Sequence, residues 1–217
     1  LFYDIHSHGK QCNEQVITLN SYYSPENQIP DKKLFTAGIH PMFVNYDVAD
    51  ALKNWITDIS NKLGCVAIGE IGLDKRNKQS IALQFDLFQY QVQLANELNK
   101  PIIIHAVGYI IQIIEILKKN KFKPPFIFHG FNQNNHLAQY IVKSGGMLSF
   151  GRHLLINNSN AQKVLKQLSL NEFFLETDDS QVDIKAIYLK AAELQMISLN
   201  ELTNGLEVNF FKVFNIK

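Results

Sequence analysis

Short apolar runs rich in Ile, Val and Phe alternate along this chain with longer stretches of helical period. The runs cover 2–6 (FYDIH), 16–19 (VITL), 34–39 (LFTAGI), 65–69 (CVAIG), 101–105 (PIIIH), 126–129 (FIFH), 147–150 (MLSF) and 173–177 (FFLET). Nearly continuous apolar runs are what parallel strands covered on both faces require. Between most of them, apolar residues recur every three or four positions. Over 48–63 the stripe is Val48, Leu52, Trp55, Ile59 and Leu63, closed by Gly64; over 81–99 it is Ile81, Phe85, Phe88, Val92, Ala95 and Leu98. The same period predicts helices over 109–119, 135–144 (closed by Gly145 and Gly146), 160–168, 183–197 and 200–214. Ser198 and Glu201 open the last one as a capping box.

Eight such runs with helices between them predict an α/β fold, a (β/α)8 TIM-type barrel forming a single domain over 1–217. Its start is irregular. Six residues separate His8 from Gln15, too few for a crossover helix, and 21–33 carry Pro25 and Pro30 without helical period. A fully extended link of about seven residues spans roughly 23–25 Å, enough to return along a strand of about 17 Å. The expectation is a distorted barrel with the first one or two outer helices missing.

Composition narrows the function classes without choosing one. A formal net charge of +1 gives no global basic field, so a large nucleic-acid interface is not indicated, although trimming one strand end needs few phosphate contacts. Cys12 and Cys65 lie in no CxxC pattern, which argues against a disulfide framework or a thiolate zinc site. No run approaches a membrane span of about 20 apolar residues, and no basic segment precedes a signal-type stretch. The expectation is a cytoplasmic chain with no membrane partner and no obligate protein partner.

The candidate chemistry lies where the runs end. His6 and His8 close the first run as H-x-H, and in a strand positions i and i+2 share a face. Glu70 follows CVAIG, His105 follows PIII, His129 follows FIF, and Asp178 follows FFLET. Four of seven histidines and two carboxylates thus fall at the C-terminal ends of five runs, where parallel barrels gather their active-site groups. A lone histidine at such a place is usually a satisfied polar group, and a lone carboxylate usually caps a helix. The joint pattern points to metal. Four imidazoles and two carboxylates exceed what one tetrahedral ion takes; they suit two divalent ions about 3.5–4 Å apart, zinc or manganese with magnesium as an alternative.

The motifs DIHSH (4–8), AGIHP (37–41), VAIGEIGLD (66–74), PIIIH (101–105), FHGF (128–131) and LETD (175–178) resemble, in order, those of the TatD-related deoxyribonucleases, metal-dependent hydrolases of the amidohydrolase-like superfamily. The resemblance covers nearly the whole chain. It implies that His6 and His8 ligate one metal together with Glu70 and Asp178, that Glu70 bridges, and that His105 and His129 ligate the second. It further implies that Asp178 orients and deprotonates the attacking water, and that Arg76 contacts a substrate phosphate. His40, in GIHP, reads as an orienting or packing histidine outside the ligand set, and His136 and His153 read as solvated. Arg152 is placed to reach substrate, while Lys118, Lys119, Lys121 and Lys123 read as complementing a helix C-terminus.

Two departures from that family pattern stand out. The helix between H-x-H and the second strand is missing, and Asp178 is followed by Asp179, Ser180 and Gln181 in place of a small residue, Pro and a long loop. The resemblance implies hydrolysis of phosphodiester bonds at a DNA end, 3′ to 5′. A second reading keeps the two metals and changes the substrate to an amide or ester, such as a cyclic amide or an aminoacyl-tRNA ester. A third is a scaffold that kept the fold without turnover; the complete ligand set argues against it.

Overall fold

The computed structural model describes residues 1–9, 14–27, 29 and 33–216; Cys12 and Pro30, named above, lie outside them. Eight strands are present: β1 (Phe2–Ser7), β2 (Val16–Tyr22), β3 (Phe35–Ala37), β4 (Cys65–Asp74), β5 (Ile102–Val107), β6 (Phe126–Phe128), β7 (Met147–Phe150) and β8 (Phe173–Leu175). The helices are α1 (Ala49–Ser60), α2 (Ile81–Glu97), α3 (Ile110–Lys119), α4 (Asn135–Lys143), α5 (Asn160–Leu165), α6 (Ile184–Gln195) and α7 (Leu199–Phe214). Strand order follows the chain from β1 to β8, which with the helices between them is the expected (β/α)8 arrangement. Among the described residues no helix lies between β1 and β2 or between β2 and β3. None is long and apolar enough to cross a membrane.

The chain divides into two compact units, Leu1–Asn20 with Ile127–Lys217, and Ser21–Phe126. In the first, β1 runs parallel to β2 from Phe2↔Val16 to Asp4↔Thr18, and β6, β7 and β8 pair in parallel. Ile5, Phe128, Phe150, Phe173 and Phe174 are fully buried between these strands and Ile187, Leu202, Leu206 and Phe210 of the covering helices. Tyr188 fixes α6 to β1: its hydroxyl donates to Tyr3 O and accepts from Tyr3 N, both at 3.0 Å. Burial pushes that phenol far above its ordinary range, so it stays a neutral donor. At the start of α7, Ser198 Oγ accepts from Glu201 N at 3.1 Å.

The second unit holds β3, β4 and β5. β4 is longer than its apolar run. It continues through Glu70 to Asp74 because β5 pairs with it up to Asp74↔Val107, so Glu70 and His105 sit within strands rather than just after them. Gly72 permits this approach. It holds φ +151°, and a Cβ there would lie 1.9 Å from His105 O. The helical stripes are shifted from their sequence reading. α1 stops at Ser60 and buries Leu52, Ile56 and Ile59, leaving Leu63 entirely exposed beyond its end. α2 buries Phe88, Val92 and Ala95 as expected, but the same face carries Gln84 and Gln91 inward. Gln91 clamps Ile39, accepting from its N at 2.6 Å and donating to its O at 3.3 Å. Gln84 does the same at Asp74, accepting from its N at 2.8 Å and donating to its O at 3.2 Å. Two amides on one helix thus set the ends of β3 and β4.

Candidate metal centre

In the first unit the H-x-H of β1 meets the segment after β8. Asp178 N donates to His6 O at 2.9 Å, and His8 N donates to Asp178 O at 3.3 Å, so Ser7 and Asp178 form a parallel bridge. The Nε2 atoms of His6 and His8 each lie 3.6 Å from Asp178 Oδ1. One donor atom from each of the three falls within 4.8 Å of the others. Asp178 sits at φ +53°, a left-handed conformation that Asp tolerates better than most residues. The turn is held from below by Asp4 of DIHSH, which is buried and accepts from Thr177 N at 2.9 Å and from Thr177 Oγ1 at 2.6 Å.

His129, just after β6, lies with its ring centroid 4.5 Å from that of His6. Its Nδ1 is 3.4 Å from Oε1 of the fully buried Glu176, and that oxygen also accepts from Gly130 N at 2.6 Å.

In the second unit Glu70 Oε1 lies 2.6 Å from His105 Nδ1 and 3.1 Å from His40 Nε2. Ser21 Oγ fixes the backbone here, accepting from Glu70 N and donating to Gly69 O, both at 3.0 Å. His40, His105 and Glu70 again offer three donor atoms within 4.8 Å of one another. The hydrogen bonds of His40 favour an orienting role. Its Nδ1 accepts from Met42 N at 3.1 Å, which leaves the ring proton of a neutral imidazole on Nε2, facing Glu70. His40 therefore donates to the carboxylate and lacks a lone pair there for an ion.

Behind His105 stands Asp74. Its Oδ2 lies 2.9 Å from His105 Nε2, and the same carboxylate receives Arg76 N at 2.8 Å, Arg76 Nε at 2.9 and 3.0 Å, and Arg76 Nη2. Burial pushes the Asp74 carboxyl up, but the hydrogen bonds from Arg76 and His105 outweigh it and hold the group well below the usual carboxylate range.

Of the residues singled out in sequence, His6, His8 and Asp178 form one group, Glu70 and His105 another, and His129 lies against His6 and Glu176. Arg76 leans back onto Asp74, with its side chain 61% exposed. Arg152 Nη1 donates to Asp179 Oδ1 at 3.2 Å. His136 is exposed; His153 is half-buried in a short turn over Arg152–Leu155, less solvated than expected. Asp4, Asp74 and Glu176, carboxylates placed against these candidates, are not singled out by the sequence reading. For Asp4 and Glu176 a signal was present: each is a carboxylate inside an apolar run, where an unpartnered charge would be costly.

The donor chemistry fits divalent cations. Each unit presents imidazole and carboxylate donors at spacings one ion could span, the ligand mix of zinc and manganese sites.

Comparison with known proteins agrees. The family model described as TatD related DNase matches residues 11–215. An uncharacterized metal-dependent hydrolase of Buchnera aphidicola is 30% identical over 199 residues, covering 84% of this chain and 74% of that one. Another from Methanocaldococcus jannaschii is 29% identical over 192 residues, with 82% and 74% covered. Among solved structures, a TatD family hydrolase from Entamoeba histolytica superimposes with TM-score 0.78 at 16% identity, covering 98% of this chain and 97% of that one. YJJV, a TatD homolog from Escherichia coli, gives 0.73 at 23% identity, with 84% and 78% covered.

Proposed function

Since this chain belongs to the family of TatD-related DNases and is a metal-dependent hydrolase, we propose that its substrate is a phosphodiester at a DNA end, cut by an activated water in the 3′ to 5′ direction. The observation that carries this reading is the group His6, His8 and Asp178, assembled by β1 and the segment after β8.

In this reading His6, His8 and Asp178 would hold one divalent ion and Glu70 and His105 another, while His129 lies beside His6 in the first unit as a further imidazole donor. Bound divalent ions lower the pKa of water and neutralise charge developing on phosphoryl oxygens. The residues divide the remaining work. His6 is fully buried, while His8 and Asp178 keep 28% and 33% side-chain exposure; of the two that meet solvent Asp178 is the carboxylate, and it takes the proton from the attacking water. The departure that places Asp179 beside it is softened by Arg152, whose guanidinium offsets the extra negative charge near an incoming phosphate. Arg76 presents its remaining Nη1 to a phosphate oxygen, its Nε and Nη2 already being held by Asp74.

The test is turnover of 3′-labelled single-stranded DNA against a panel of amide and ester substrates, each with Mg²⁺, Mn²⁺ and Zn²⁺. Release of single nucleotides from the 3′ end is expected, and Asp178→Asn should abolish it. Turnover only of the amide or ester panel would overturn the substrate assignment and leave the hydrolase standing.

A further inference from the structure

We propose that Asp74 is a positioning residue: it fixes His105 so that Nδ1, and not Nε2, is the nitrogen offered to a divalent cation, and the same carboxylate pins Arg76. The inference rests on the metal reading above and concerns how one ligand of that site is oriented.

The argument starts from what a neutral imidazole can do. One ring nitrogen carries a proton and donates; the other has the lone pair and accepts or ligates. At His105 both nitrogens face carboxylates, Nε2 toward Asp74 Oδ2 at 2.9 Å and Nδ1 toward Glu70 Oε1 at 2.6 Å. The two carboxylates are not equivalent. Glu70 belongs to a candidate ligand group, whereas Asp74 has a different set of partners, the backbone N, Nε and Nη2 of Arg76. Its side chain is fully buried, and its backbone is clamped on both sides by the Gln84 amide. Asp74 is therefore a fixed acceptor, saturated with donors, that has no call to move when an ion arrives. A hydrogen on Nε2 satisfies it, and the lone pair then resides on Nδ1, the atom beside Glu70. A carboxylate behind a ligating imidazole both sets the tautomer and strengthens the imidazole as a donor.

Arg76 belongs to the same device. Its guanidinium is gripped through two nitrogens, a geometry that removes most of its rotational freedom. One buried carboxylate thus aligns a candidate ligand and a candidate anion contact two residues further along β4's end.

The test uses the full chain loaded with Zn²⁺, its imidazole nitrogens followed by long-range ¹H–¹⁵N spectra and assigned with His105→Gln. His105 is expected to show a protonated, slowly exchanging Nε2 and an Nδ1 with the shift of a metal-bound nitrogen. Zinc on Nε2 with the proton on Nδ1 would overturn the proposal outright, with no variant needed. Chelator competition should show Asp74→Ala binding zinc about 10- to 100-fold more weakly. Asp74→Asn, whose amide oxygen can still accept from Nε2, should recover part of that affinity. Arg76→Met should leave the His105 spectrum unchanged, whereas a merely structural Asp74 would let both substitutions disturb it alike, and that result would sink the idea. Failure of the unaltered protein to bind zinc would instead overturn the metal reading itself, and with it the ligand role of His105.

Discussion

Replacing Thr177 with Val probes the joint between β1 and the Asp178 turn at a single hydroxyl. The two side chains have nearly the same volume, so no cavity opens and the backbone donation from Thr177 N to Asp4 Oδ1 at 2.9 Å survives. What is lost is the 2.6 Å donation from Oγ1 to Asp4 Oδ2, together with the 3.3 Å hydrogen bond between Oγ1 and Ser7 Oγ, in a place where Asp4, Ser7 and Thr177 are all buried. A hydrogen bond to a charged group contributes about 1.5–3 kcal/mol. We expect Thr177→Val to lower stability by about 2–3 kcal/mol, a shift of roughly 1 M in a urea midpoint at an ordinary slope. Turnover should fall as well, because the next residue is Asp178, held at φ +53°. Thr177→Ser keeps the hydroxyl and should lose only about 1 kcal/mol, the methyl's share. Urea unfolding followed by fluorescence reads both variants. If Thr177→Val unfolded within about 0.5 kcal/mol of the parent, the claim that this hydroxyl secures the turn would be wrong.

Gly72→Ala should destabilise by about 2–6 kcal/mol, summing backbone strain and overpacking, since its Cβ would meet His105 O at 1.9 Å; a melting temperature unchanged from the parent would contradict the packing described for β4 and β5. His129→Ala should reduce DNA turnover by orders of magnitude and leave the circular dichroism unchanged, because the strand before it is anchored by the buried Phe126, Ile127 and Phe128; global unfolding would refute that. Burial raises the Cys65 thiol above its ordinary range, against a smaller opposing pull from Lys100. In a Cys12→Ser background the native thiol should therefore resist alkylation and react freely in urea. Because the folded state holds this proton more tightly than the unfolded chain, its contribution to stability is full below the unfolded thiol's pKa and is lost as pH climbs toward the folded one. Rapid native labelling at neutral pH would disprove the assignment.

The elements were legible because apolar runs and helical stripes are local signals. Where they failed, a partner elsewhere in the chain decided. β4 reads as ending at Gly69, since Glu70 and Asp74 interrupt the apolar run, yet β5 pairs with it to Val107 and draws five more residues into the strand. Gln84 and Gln91 are no part of the apolar stripe over 81–99; they point inward because Asp74 and Ile39 present backbone groups that need partners. At the site, H-x-H is readable from strand period alone. The contact between Ser7 and Asp178 is not, because nothing near either residue announces the other. Arg76 shows the same limit. Its position after GLD marks it for substrate, but only coordinates reveal that Asp74, two residues back, already holds most of its donors.

The bridge from Ser7 to Asp178 has a consequence for synthesis of the protein. Thr177 and Asp4 are 173 positions apart, so this knot is tied only after translation has passed strand β8. A nascent chain halted earlier carries both histidines of the first strand but no aspartate to complete the triad. On the role proposed for Asp178, hydrolytic competence would arrive at once and late, and premature termination products are expected to be inert rather than weakly active.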